Sequence, residues 1–173
     1  MPNVGDEMIV NDKMQHGYRY KLVKPIGEEA DDFHQNGFNP DLTPPQMLKM
    51  GIFEGKYLND CEEEFPKEWF EYKRHRDRIA DPELNYLKVK SRQSLQTWRE
   101  NGWIIGDDPR GWFQWYCRYY MGRRTDYDAK QISRWKSYAR HRGQVQKHCE
   151  PGDLSCRPKQ RQGLLQWAYG PNV

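Results

Sequence analysis

Between Gly102 and Gly143, nine Lys or Arg are set among four Trp, five Tyr and one Phe. Guanidinium groups make paired hydrogen bonds to phosphate oxygens, and aromatic rings stack on exposed bases, so this mixture suits a nucleic acid, DNA or RNA. The residues spaced for phosphate contact are Arg118, Arg123, Arg124, Lys130, Arg134, Arg140 and Arg142, with Trp135 and Tyr138 as a stacking surface. Burial of Arg123, Arg124 and Arg134 in ion pairs with acidic residues of the N-terminal half would remove the basis of that expectation.

A second chemistry is catalytic. Asp107, Asp108, Asp126 and Asp128 lie beside the cations. Carboxylates so placed can hold a divalent metal or activate water next to a phosphodiester or glycosidic bond, and a desolvated Lys130 is an amine nucleophile. On this reading the protein is an enzyme acting on nucleic acid by base excision, modification or cleavage, with Asp126, Asp128 and Lys130 as its candidates. Capping competes for the same residues. Asp108 and Asp126 stand where helices begin, and Asp128 falls in a first turn, where the helix dipole favours an anion. No His-Glu metal motif, nucleophile elbow, phosphate-binding loop or dinucleotide glycine pattern occurs. A third reading is a protein-interaction module that uses exposed Trp and Tyr.

Four cysteines, Cys61, Cys117, Cys149 and Cys156, permit a zinc site in principle, with His141 and His148 as further ligands near the last pair. The spacing of Cys149 and Cys156 matches none of the common zinc patterns, so no cofactor is expected. That pair can be bridged across its Pro-Gly turn, but an intracellular setting argues against a stable disulfide. Cys117, inside an aromatic run, reads as a buried thiol.

These side chains need elements to hold them. Asp108 as N-cap, Pro109 at the first position and Gly122 as a left-handed end define a helix that carries Trp112, Phe113, Tyr116, Tyr119 and Tyr120 on one broad face. A core stripe is the ordinary meaning of such a face. Thr125 or Asp126 then caps a basic helix that buries Ile132, Trp135 and Ala139 and ends at Gly143. Helix, short turn with Gly and basic helix make a helix-turn-helix outline. Upstream, Thr43 caps and Pro44 opens a short helix that Gly51 stops. Pro66 opens another that runs to about Arg78, with Trp69, Phe70 and Tyr72 apolar. The last turn of that helix is loaded with Lys73, Arg74, His75, Arg76 and Arg78, which suit the negative end of its dipole. Ser91 precedes a helix with Leu95 and Trp98, and a final one starts near Pro158 and runs to Tyr169. The expectation is a mostly α, single compact domain of about six short helices over residues 41–173. An irregular N-terminal arm over 1–40 would hold at most one strand, near Tyr18 to Val23.

The 173 residues suffice for one domain with a real core. Aromatic content of 14% at a hydrophobic content of 36% points to a core built from rings. No apolar run approaches the length of a membrane span and no signal segment follows Met1, so no membrane partner and a soluble, intracellular protein are expected. Residues 1–90 carry 13 Lys or Arg against 18 Asp or Glu, and residues 91–173 carry 15 against 7. Such asymmetry favours a phosphate-bearing partner, or else docking of the basic half on the acidic half.

The run Gly-Trp-Phe-Gln-Trp-Tyr-Cys-Arg-Tyr-Tyr-Met-Gly-Arg-Arg over 111–124, with Leu48 to Cys61 and Cys149 to Ala168, resembles a family of uncharacterised proteins. The resemblance spans about residues 40 to 170. It implies one domain and carries no activity to these positions.

Overall fold

The first turn of the first helix shows how local chemistry starts an element here. In the computed structural model, which describes residues 2–71 and 79–173, Thr43 Oγ1 accepts from the Gln46 N–H at 3.3 Å. The Gln46 side chain accepts from the Thr43 N–H at 2.8 Å. This reciprocal capping box satisfies two amides that the helix itself leaves free. Helix α1 therefore runs Pro44–Met50 and stops at Gly51, whose φ is 112°.

Helix α2, Leu95–Glu100, is capped by Ser94, one turn later than the Ser91 expected from sequence. Ser91 donates to the Lys159 carbonyl instead. Helix α3 is Trp112–Met121 and begins after Gly111, not at Pro109. Its expected cap, Asp108, is held by arginines as described below. Gly122 closes α3 in the left-handed region, as expected. A Cβ there would collide with the Lys24 carbonyl oxygen, and the Gly122 carbonyl accepts from the Val23 and Lys24 amides. Helix α4 is Asp128–His148, continuing past Gly143, and α5 is Pro158–Gln166. Among the described residues there are five α-helices. Of the helix expected from Pro66 to about Arg78, Lys67–Phe70 forms a 3-10 turn. Residues 72–78, with Tyr72 and the cations from Lys73 to Arg78, lie outside the described residues.

Residues 2–40, expected to be an irregular arm, carry a hairpin. Strands β1, Glu7–Asn11, and β2, His16–Lys21, pair antiparallel with Glu7 opposite Lys21 and Val10 opposite Tyr18. Tyr18-Arg19-Tyr20-Lys21-Leu22 alternates and marks β2, whereas the continuous apolar run Met8 to Val10 of β1 gives no period-two signal.

The chain clusters into two units, each drawn from separated stretches. One comprises Met1–Asn39, Asp60–Pro66 and Gln93–Arg134; the other comprises Pro40–Asn59, Lys67–Arg92 and Trp135–Val173. The first is cored by rings. Phe38, fully buried, lies 5.5–6.4 Å from Trp112, Trp115, Tyr116 and Tyr119 in edge-to-face geometry. Edge-to-face packing places the positive ring edge against a negative ring face. The indole N–H groups are satisfied inside: Trp112 donates to the Gln131 carbonyl at 3.1 Å and Trp115 to Asp128 at 2.8 Å.

The second unit is cored by Met47, Leu48, Ile52, Trp69, Phe70, Val145, Leu164 and Leu165. Buried amides of α5 hold its loops. Gln162 accepts from the Leu87 amide and donates to the Gly51 carbonyl. Gln166 accepts from the Phe53 amide and donates to the Ser91 carbonyl. These bonds fix a run of left-handed residues, Phe53, Glu54 and Gly55, that propensity alone disfavours.

Candidate functional site

Arg118, Arg123 and Arg124 follow one another along α3 and its exit, and each turns to carboxylates of its own unit. Arg118 is 0% exposed. Its Nε and Nη2 grip Glu64 at 2.7 and 3.0 Å, and its Nη1 reaches Asp108 at 2.9 Å and the Asp107 carbonyl at 3.0 Å. Nη2 also donates to Gln15 at 2.8 Å. All five guanidinium hydrogens are thereby used. Arg123 closes on both oxygens of Asp108, at 2.7 and 2.6 Å. Arg124 forks onto Asp32 at 3.0 and 2.8 Å and lies 3.9 Å over the Tyr119 ring.

The electrostatics fit internal pairing. Desolvation works against the charge on Arg118, but hydrogen bonding and attraction from Glu64, with Asp108, outweigh it and raise its pKa. Burial, reinforced by Glu64, drives the Tyr20 hydroxyl far above the ordinary tyrosine range, and that hydroxyl donates to Glu64 at 2.6 Å. The Arg124 hydrogen bond holds the Asp32 carboxyl below the usual range. Arg118 and Arg123, expected to contact phosphate, are instead members of a closed ion-pair lattice, and Arg124 is bound to its edge. The condition set for Arg124 is met by Asp32 of the N-terminal half. Arg123 is equally occupied, but by Asp108. Arg134 is half-buried, donates to Gln131 at 3.0 Å, and has its pKa lowered by burial.

The catalytic candidates divide in the same way. Asp128 is buried and accepts from the Trp115 indole, from the Thr125 amide at 3.0 Å and from the Thr125 hydroxyl at 3.1 Å. Thr125 in turn accepts from the Tyr127 amide, so both residues organise the start of α4. Asp126 and Lys130 are exposed. Residues two apart on a helix do not face each other, so Lys130 does not share a site with Asp128.

The rings expected to stack on bases stack on one another. Trp135, 6% exposed, lies parallel to Tyr169 with centroids 5.0 Å apart, and the Tyr169 hydroxyl donates to the Trp135 carbonyl. Tyr138 stacks on Trp167 at 4.9 Å and has His141 4.4 Å from its ring. Its hydroxyl occupies the space beside Gly163 and is pushed up to about 12 by burial. The zinc candidates also have other partners. Cys149 and Cys156 are joined in a disulfide across the Pro-Gly turn that permits it, against the argument from an intracellular setting, so neither sulfur is a metal ligand. His141 sits 3.2 Å from the Gln160 amide, its pKa lowered by desolvation and by Arg140. Among the described residues no group of three His, Cys, Asp or Glu is arranged to hold a metal ion.

The outward side of α4 remains. Residues 129–148 contain six Lys or Arg and no Asp or Glu. In the second unit Lys136, Arg140 and Lys147 are exposed on one face, at spacings of four and seven, with Ser137 and Gln144 beside them. Arg142 is half-buried, 5.1 Å over the Tyr169 ring. Of the expected contacts in this unit, only Arg140 points fully outward. Lys147 was missed because Gly143 was read as the end of the helix. Val145, fully buried and seven residues after Tyr138, was the signal that the helical period continues.

No family model, no curated protein and no solved structure matches this chain. Among the described residues no helix is long and apolar enough to cross a membrane.

Proposed function

We propose that the protein binds nucleic acid, and that the contact is made by the outer face of α4 in the second unit, with Lys136, Arg140 and Lys147 as its phosphate-binding residues. One observation carries the reading. A helical face with three exposed cations lies in a twenty-residue run without a single acidic side chain. A solvated surface helix ordinarily alternates signs, because opposite charges three or four apart stabilise it and like charges destabilise it. A like-charged face loses that support and gains it back when counterions on a polyanion are displaced. In the helix-turn-helix outline, α4 is the second helix, which suits this role.

The test is binding of labelled nucleic acid across a salt series. The expected result is affinity that falls steeply with salt. The Lys136→Ala, Arg140→Ala, Lys147→Ala variant is expected to reduce the log–log slope by about 3, since each phosphate neutralised contributes roughly 0.9. Salt-independent binding, or a slope unchanged in the triple variant, would sink the reading.

A further inference from the structure

We infer that the nucleic acid taken by this face is B-form duplex DNA, with α4 lying in the major groove and Gly143 marking where the groove wall comes closest to the helix. The inference rests on the reading of the α4 face as phosphate-binding. Three observations support it, and the first concerns stacking. Single strands are held without sequence preference mainly by bases stacking on exposed rings. Here Trp135 is spent on Tyr169, and Tyr138 on Trp167 and His141.

The second is the shape of the cationic face. Lys136, Arg140, Gly143 and Lys147 recur at i, i+4, i+7 and i+11, which places them in one line along the helix. At a rise of 1.5 Å per residue the two lysines stand about 16 Å apart along the axis. The B-form major groove is about 12 Å wide and admits an α-helix, so α4 fits with this line facing inward and the long lysine side chains at its two ends turned to the bordering phosphates. Arg140 lies between them on the same line over the base edges, where arginine pairs with guanine, and Gln144 lies to one side. The major groove of an A-form RNA duplex is too deep and narrow for such a helix.

The third is Gly143 itself. Glycine weakens a helix interior relative to alanine, so it needs a reason to be there. Gly163 in α5 has one, because a Cβ there would strike the Tyr138 hydroxyl. Gly143 has an ordinary helical backbone, and among the described residues nothing lies within 4 Å of where its Cβ would be. No packing among the described residues calls for it. It leaves a gap in the middle of the cationic line, between Arg140 and Lys147, and a gap there lets a partner's backbone approach the helix.

The experiment titrates the full chain against three labelled probes of one sequence: a DNA duplex, the single DNA strand and the RNA duplex. Gly143→Leu and Gly143→Ala are measured alongside. The DNA duplex is expected to bind about tenfold or more tighter than either other probe. Gly143→Leu is expected to melt no lower than the parent and to lose about tenfold in duplex affinity with the salt slope unchanged, because no charge has been removed. Gly143→Ala raises the melting temperature. Equal or tighter binding of the single strand or the RNA duplex overturns the inference and leaves the phosphate-binding reading standing. Full duplex affinity in Gly143→Leu does the same. Binding to none of the probes overturns both. The probe comparison uses the unaltered chain and does not depend on how any variant folds.

Discussion

Arg118 and Arg140 stand on successive helices and carry the same group, yet their surroundings are opposite. Arg118 sits in a cage of Glu64, Asp108, Gln15 and the Asp107 carbonyl, under the rings of Tyr18 and Tyr20 at 5.1 and 5.5 Å. Arg140 is exposed on a helix with no acidic residue after Asp128. A guanidinium taken out of water must have every donor met and its charge balanced, or it destabilises the fold. Arg118 therefore comes with its carboxylates and has no donor left for a ligand. One left in water keeps its donors available. Cations counted along the chain measure the sum of these two populations, and only the second can bind phosphate.

The strongest way to break the comparison is Arg118→Ala. Removing one member of a buried pair leaves Glu64 buried with only the Tyr20 hydroxyl for a partner among the described residues, while Asp108 keeps Arg123, and a stability loss of about 3–5 kcal/mol is expected. Urea unfolding measures that loss. Nucleic-acid affinity of the molecules that remain folded is expected to be unchanged. A variant as stable as the parent but unable to bind would reverse the roles of the two arginines.

A smaller effect sharpens the picture at the other region. The Cys149–Cys156 bond closes a loop of seven-residue separation directly after α4. Replacing both by Ser is expected to cost about 2 kcal/mol through the freed unfolded chain. A thermal scan with and without a thiol reductant reads this out, the reductant lowering the melting temperature of the parent and not of the double variant.

The smallest effect is the pH dependence of the pair that Arg124 makes. Because Arg124 depresses the Asp32 carboxyl, the proton binds the unfolded chain more readily than the folded one. The pair's contribution is therefore present above the ordinary carboxylate range, near pH 4, and is lost as pH falls through the lower folded value. Asp32 is partly exposed, so the contribution is about 1 kcal/mol or less. The stability gap between the parent and Arg124→Ala should be present at pH 7 and close in strong acid. A gap that persists there means that the Arg124 contacts with the Tyr119 ring and the Tyr119 and Arg123 carbonyls carry the effect instead.

Features of the fold that depend on neighbours within about four residues were readable in advance. Thr43 with Gln46, Gly51 and Gly122 began and ended helices as their chemistry requires, and Trp112, Phe113, Tyr116 and Tyr119 proved to be core. Features that depend on a distant partner were not. Asp108 reads as a cap beside Pro109, because an arginine ten and another fifteen positions away have no visible claim on it in one dimension. The hairpin was half read: a strand was expected near Tyr18, where β2 lies, but not β1, whose Met8, Ile9 and Val10 run without alternation. Gly143 reads as a stop since glycine usually is one, and only the buried Val145 beyond it says otherwise.

The candidate site was legible as a composition and not as a set of residues. The sequence by itself determined where α1 and α5 start and where α1 and α3 end, which stripe of α3 is apolar, and that residues 129–148 carry cations without acids, since these follow from local hydrogen bonding, periodicity and simple charge. Tertiary structure decided which cations are free to act. Desolvation forces a buried charge to find its opposite, and the carboxylates that answer Arg118, Arg123 and Arg124 come from Glu64, Asp108 and Asp32, which the folded chain alone brings within 3 Å.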